Sequence, residues 1–141
     1  MFNLAQLFSV IKSGTNYPAT FSPEKVPAYG AKGDPVKVYL KYFAMTPSGQ
    51  IGDGIIVGDY YNQFGEELVQ VFQVEFFADV ASCHTVWQKL YDTLAGWVPL
   101  EETIPEFSGL SYAGGGRMGM ASERIYWMDN WKIDMPKAPK P

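Results

Sequence analysis

Leu68-Val69-Gln70-Val71-Phe72-Gln73-Val74-Glu75-Phe76-Phe77-Ala78, running into Asp79 and then a stretch that ends Leu90-Tyr91-Asp92-Thr93-Leu94-Ala95-Gly96-Trp97-Val98-Pro99, decides the fold. The first half alternates: Leu68, Phe72, Val74 and Phe76 mostly share one face, with Val69, Gln73 and Glu75 opposite, which predicts a strand over 68–77. Beyond Asp79, a natural N-cap type, Cys83, Val86, Trp87, Leu90, Tyr91 and Leu94 recur at the 3.6-residue period. That spacing predicts a helix over 80–95, with Gly96 at the position that closes it.

On the C-terminal side, 110–112 reads as the start of a strand that reaches Gly114-Gly115-Gly116, and 124–135 as the last strand. In the latter, Ile125, Trp127, Trp131 and Ile133 alternate against Tyr126, Asn130 and Lys132. On the N-terminal side, Val36, Val38, Leu40 and Tyr42 alternate with Lys37, Tyr39 and Lys41 in a strand over 36–43. Leu4, Leu7, Phe8 and Ile11 give a helical stripe over 2–13, with Gly14 as a stop. Between them, residues 15–35 hold four prolines and three aromatics and read as an extended, irregular arm. A connection this long inside a compact domain is commonly a functional or contact segment. Residues 45–65 hold several glycines around Ile55-Ile56-Val57 and read as either a short strand or a flexible flap, and 136–141 as a tail. The expected fold class is α+β in a single domain over 1–141. It has a mainly antiparallel sheet of about four to five strands, two helices packed on one face, and the proline-rich arm and Gly-rich flap as additions.

Composition sets further bounds. The chain has 141 residues, 47% apolar and 18% charged, with 9 Phe, 9 Tyr and 4 Trp. That is too apolar, at a net charge of −4, for a disordered chain. No apolar run approaches the ~20 residues that span a bilayer. The first residues lack the basic region of a secretory signal. One cysteine, Cys83, and one histidine, His84, cannot form an internal disulfide or a metal site between them, so the default expectation is a reduced, soluble, intracellular protein with no cofactor.

The net charge is a sum of opposed blocks. Residues 1–41 carry +3, residues 42–88 carry −6 without a single Lys or Arg, and residues 89–141 carry −1. A solvated acidic loop accounts for this, and so does a charge dipole that lets one copy's basic face meet the next copy's acidic face. Duplex DNA is a poor partner, because no cluster of Lys and Arg replaces the counterions of the phosphates.

No pattern of catalytic residues stands out. His84 falls on a polar helix position, and Cys83 on the apolar stripe reads as a small buried hydrophobe. Gly114-Gly115-Gly116-Arg117 lacks the ending and the helix of a phosphate-binding loop, and reads as a hairpin turn. Gly52 to Gly58 misses dinucleotide-binding spacing by one residue. Glu66-Glu67 and Glu101-Glu102 are sequence neighbours, not a glycosidase pair, and Asp53 and Asp59 are too sparse for a calcium loop. Trp127 and Trp131 share a strand face with Ile125 and Ile133, so they read as core. A sugar- or base-stacking platform would need them exposed.

From the central strand onward the chain resembles the tail terminator (tail completion) proteins of tailed bacteriophages, particularly those of Mu-like contractile phages. The resemblance covers about residues 66–135. It is carried by the strand 68–78, by Leu94-Ala95-Gly96-Trp97-Val98-Pro99, by Leu110-Ser111-Tyr112-Ala113-Gly114-Gly115, and by Arg124-Ile125-Tyr126-Trp127. Its most specific part is Leu-x-Gly-Trp-x-Pro followed by Tyr-x-Gly-Gly. The resemblance implies a structural virion protein of the tail and neck, assembled in the bacterial host cytoplasm, with no catalytic role. Such a protein closes as a ring, a hexamer in the family, on the tail tube protein. It ends tube polymerisation and meets the head-side connector, with the tail sheath as a further neighbour. The expected protein-interface residues are Asp53, Asp59, Tyr60, Tyr61, Glu66 and Glu67, with Lys37 and Lys41 as opposite charges and Tyr17, Phe21 and Tyr29 from the arm. Two other readings are a neighbouring neck or head–tail connector protein of similar fold, and a small carbohydrate-binding or hydrolytic domain using Tyr60, Tyr61 and the tryptophans.

Overall fold

A computed structural model describes residues 4–23, 25, 27–45, 56–57, 61–62, 69–97 and 109–133. In chain order these form helix α1 (Leu4–Thr15), strands β1 (Ala19–Phe21), β2 (Val38–Met45), β3 (Ile56–Val57), β4 (Tyr61–Asn62) and β5 (Val69–Asp79), a 3-10 turn (Val80–Ser82), helix α2 (Cys83–Leu94), and strands β6 (Leu110–Ala121) and β7 (Arg124–Ile133). The main sheet has the order β1-β2-β5-β7-β6, and β3 and β4 form a separate two-stranded ladder. Every pair in the main sheet is antiparallel except β1 with β2, so the sheet is mixed and the fold is α+β.

The alternation read from the sequence sorts the two faces of β5. Phe72, Val74, Phe76 and Ala78 point to the helices. They join Val38 and Leu40 of β2, Leu7 and Ile11 of α1, Cys83, Val86, Leu90 and Leu94 of α2, Leu110 of β6 and Ile125 and Trp131 of β7 in one buried core. Each fully buried aliphatic or aromatic side chain contributes about 1.5–3 kcal/mol, so the two helices are held chiefly by their stripes. Trp127, expected in the core, is half-buried at its margin, as is Trp97.

Several local expectations change. Gly14 does not stop α1: it lies inside the helix, where a β-carbon would stand 2.6 Å from the Thr93 side chain of α2. The helix instead ends one residue later, with Asn16 in the left-handed region at φ 63°. Gly96 closes α2 at φ 74° as expected. Its N–H then donates to the Leu110 carbonyl at 2.8 Å, and Leu110 N–H donates to the Trp97 carbonyl at 3.1 Å. The end of α2 is thereby stitched to the start of β6.

Asp79 precedes the 3-10 turn but makes no side-chain cap, because its carboxylate is turned towards Arg124. Gly114-Gly115-Gly116 is no turn. These glycines continue β6 through an irregularity between Tyr112 and Gly115. The hairpin reverses at Ser122 and Glu123, both at positive φ (50° and 63°). That is the signature of a type I′ turn, here built without glycine.

Candidate assembly interface

Beneath the sheet, on the face away from the helices, three charged groups hold the chain's irregular segments in place. Arg124 is 3% exposed. Its Nε donates to the Tyr29 carbonyl at 2.9 Å and its Nη1 to the Asp34 carbonyl at 3.3 Å, while Nη1 also meets Asp79 Oδ1 at 3.0 Å. The Gly33 N–H donates to both Asp79 oxygens at 3.0–3.1 Å. The Arg124 hydrogen bond and the Gly33 N–H hold the Asp79 carboxyl below the usual carboxylate range. Glu75, 6% exposed, accepts hydrogen bonds from Tyr126 Oη at 2.6 Å and Ser22 Oγ at 3.3 Å. Burial, then Glu75, push the Tyr126 hydroxyl pKa upward. Tyr29 lies edge-on to Phe77 at 5.3 Å and to Tyr126 at 6.2 Å, and its hydroxyl occupies the space over Gly119 where a β-carbon would stand.

On the helix side a third carboxylate, Asp129, is 2% exposed. It accepts from Trp127 Nε1 at 2.8 Å and Tyr112 Oη at 3.1 Å. The Trp87 indole N–H, buried without a well-formed hydrogen bond, pulls in the same direction more weakly. Desolvation dominates these donors and raises the Asp129 pKa. Around it Trp87, Tyr91, Tyr112 and Trp131 form a mutual aromatic cluster with centroids 5.1–6.0 Å apart. Gly115 is required here, since any β-carbon would collide with the Asp129 carboxylate and the Met128 carbonyl. Burial pushes the Cys83 thiol up, as suits a small core residue, and His84 is exposed.

The unpartnered surface lies at the sheet's two ends. Among the described residues no strand pairs with the outer edge of β1 or of β6. Five large apolar side chains stand exposed among them: Phe21 (60%), Met120 (56%), Met118 (55%), Val80 (48%) and Tyr112 (36%). Phe21 is on β1 and three of the others are on β6, so four of the five sit on the two open edges. Val80, the fifth, shares a surface hollow with Met120. A long edge strand with exposed apolar residues and a single charge, Arg117, is a template for pairing with another chain.

Of the expected interface residues, Asp53, Asp59, Tyr60, Glu66 and Glu67 lie outside the described residues, and Tyr61 is described only as backbone in β4. Lys37 and Lys41 are exposed on the β2 side of the sheet. Tyr17 is half-buried beside the core, with Lys89 Nζ 5.7 Å from its ring, and Tyr29 is committed to Phe77 and Tyr126. Phe21 alone of the arm aromatics projects outward, edge-on to Phe8 at 5.0 Å.

Met118, Met120 and Tyr112 were missed by sequence reasoning. A strand's place at the edge depends on strand order, and no local pattern encodes it. Among the described residues no group of three His, Cys, Asp or Glu side chains converges as a metal site, and no helix is long and apolar enough to cross a membrane. Compared with models of protein families the chain matches none, and a comparison with curated proteins likewise finds no match.

Proposed function

We propose that the protein is a tail terminator of a contractile-tailed bacteriophage. In this reading copies of the chain close into a ring on the last ring of tube protein, stop tube growth and present a surface to the head connector. The observation that carries the reading is that the two edge strands, which find no partner strand among the described residues, carry four of the five large apolar side chains exposed there. A monomer working alone gains nothing from that arrangement and risks aggregation. A ring of heterologous contacts uses one patch on each side of every subunit.

The resemblance in Leu94-Ala95-Gly96-Trp97 and Leu110-Ser111-Tyr112-Ala113-Gly114-Gly115 supports the same reading. In this chain those two segments are neighbours, joined through the Gly96–Leu110 hydrogen bond. A sugar-stacking role for the tryptophans is disfavoured, because Trp131 is buried and the Trp127 indole N–H is spent on Asp129.

Labelling the chain in intact virions and locating the label by electron microscopy tests the proposal. The expected result is label at the head-proximal end of the tail tube, at the neck. Label on the capsid shell, the baseplate or nowhere in the particle would overturn it.

A further inference from the structure

The joint between subunits can be specified further, resting on the ring reading above. We infer that β6 of one copy pairs, antiparallel, with the outer edge of β1 of the next copy, so that the five-stranded sheets run on from subunit to subunit.

Strand directions carry the first step. β1 runs with β2, β2 against β5, β5 against β7, and β7 against β6. Hence β1 and β6, at opposite ends of the sheet, point in opposite directions. A rotation about an axis along the strands keeps those directions. The neighbour's β6 therefore arrives antiparallel to β1, the pairing with the better hydrogen-bond geometry.

Coverage of apolar surface carries the second step. A two-fold contact of β6 with β6 would bury Tyr112, Met118 and Met120 but leave Phe21 in water. Joining β6 to β1 draws on all four exposed edge side chains, with apolar groups on both partners.

Mixing two edge-blocked variants is the test. Phe21→Lys blocks the β1 edge, and Met118→Lys combined with Met120→Lys blocks β6. All three side chains are more than half exposed and none belongs to the buried core, and matching circular dichroism spectra and Tm confirm folding. Self-association is read by native mass spectrometry and sedimentation, alone and with tube protein. Each variant should raise the concentration needed for assembly at least about tenfold, about 1.4 kcal/mol. An equimolar mixture should form dimers with one copy of each variant and nothing larger, since one good joint remains per pair.

Failure of the mixture to dimerise, or wild-type assembly by either variant alone, would overturn the joint while leaving the ring reading standing. A wild-type chain that stays monomeric at every concentration and in the presence of tube protein would overturn both. If Phe21→Lys retains a dimer that the β6 variant loses, the contact is the two-fold one and the proposed joint is wrong.

Discussion

Arg124 Nη1 and Asp79 Oδ1 lie 3.0 Å apart where β5 ends and β7 begins, and between them they hold residues 29–34 against the sheet. The guanidinium supplies donors to two main-chain carbonyls, and the carboxylate accepts the Gly33 N–H. Loop position and sheet end are thus fixed by one ion pair whose partners are 45 residues apart.

Removing the cation should cost more than removing the anion. Arg124→Met strips the Tyr29 and Asp34 carbonyls of a charged donor and should destabilise by on the order of 2 kcal/mol or more. Asp79→Asn leaves the guanidinium two carbonyl acceptors and should cost less. Urea denaturation of both variants checks the order. Faster hydrogen exchange at residues 29–34 should accompany the loss of Arg124.

Two carboxylates should impose opposite pH dependences on stability. The Asp79 pKa is held below its unfolded value. Its contribution is therefore complete above the unfolded carboxylate pKa of about 3.9 and is lost as pH falls through the folded value. The Asp129 pKa is raised by burial, so the native state holds its proton longer than the unfolded chain. Stability must then fall as pH rises from about 3.9 through the folded value. Asp129→Asn should abolish that decline, and Asp79→Asn should flatten the acid limb. Denaturation midpoints followed from acid to neutral pH in each single variant separate the two.

The glycines of β6 should divide sharply. Gly115→Ala drives a β-carbon into the Asp129 carboxylate and the Met128 carbonyl, an overpacking cost of about 1–3 kcal/mol. Gly116→Ala meets open space and should leave the monomer neutral or up to about 1 kcal/mol more stable. Thermal unfolding of the two variants is the check, with equal Tm values the outcome that would contradict this account of the strand.

Tyr126→Phe deletes the shorter of the two hydrogen bonds to buried Glu75 found among the described residues while keeping the ring stacked on Phe77 at 4.8 Å. A loss of about 1.5–3 kcal/mol is expected for a bond to a charged acceptor. Glu75→Gln combined with Tyr126→Phe should cost less than the two changes summed, because the residues share that bond.

Periodic patterns were legible in the sequence; pairings distant along the chain were not. The stripe Cys83, Val86, Leu90 and Leu94 and the alternation in β2, β5 and β7 announce themselves within ten residues, and the structure places that stripe with Val38, Leu40, Phe72, Val74, Phe76, Ile125 and Trp131 in the core, leaving Trp127 half-buried. By contrast, Gly114-Gly115-Gly116 looks like a turn locally. Only Asp129, arriving from the neighbouring strand, explains why Gly115 belongs inside β6. Asp79 resembles a helix cap until Arg124 is brought beside it. β1 is hidden among prolines because three residues held by parallel pairing leave no periodic trace. As for the candidate interface, Phe21 was accessible as a surplus loop aromatic. Met118 and Met120 became candidates only once strand order put β6 at the edge.

Addition of the purified chain to polymerising tube protein, with tube length and ends imaged by cryo-electron microscopy, tests the central claim most directly. The account predicts shorter tubes, each closed at one end by a ring of this chain and unable to accept further tube subunits. Tubes of unchanged length, with the chain left free in solution, would contradict it.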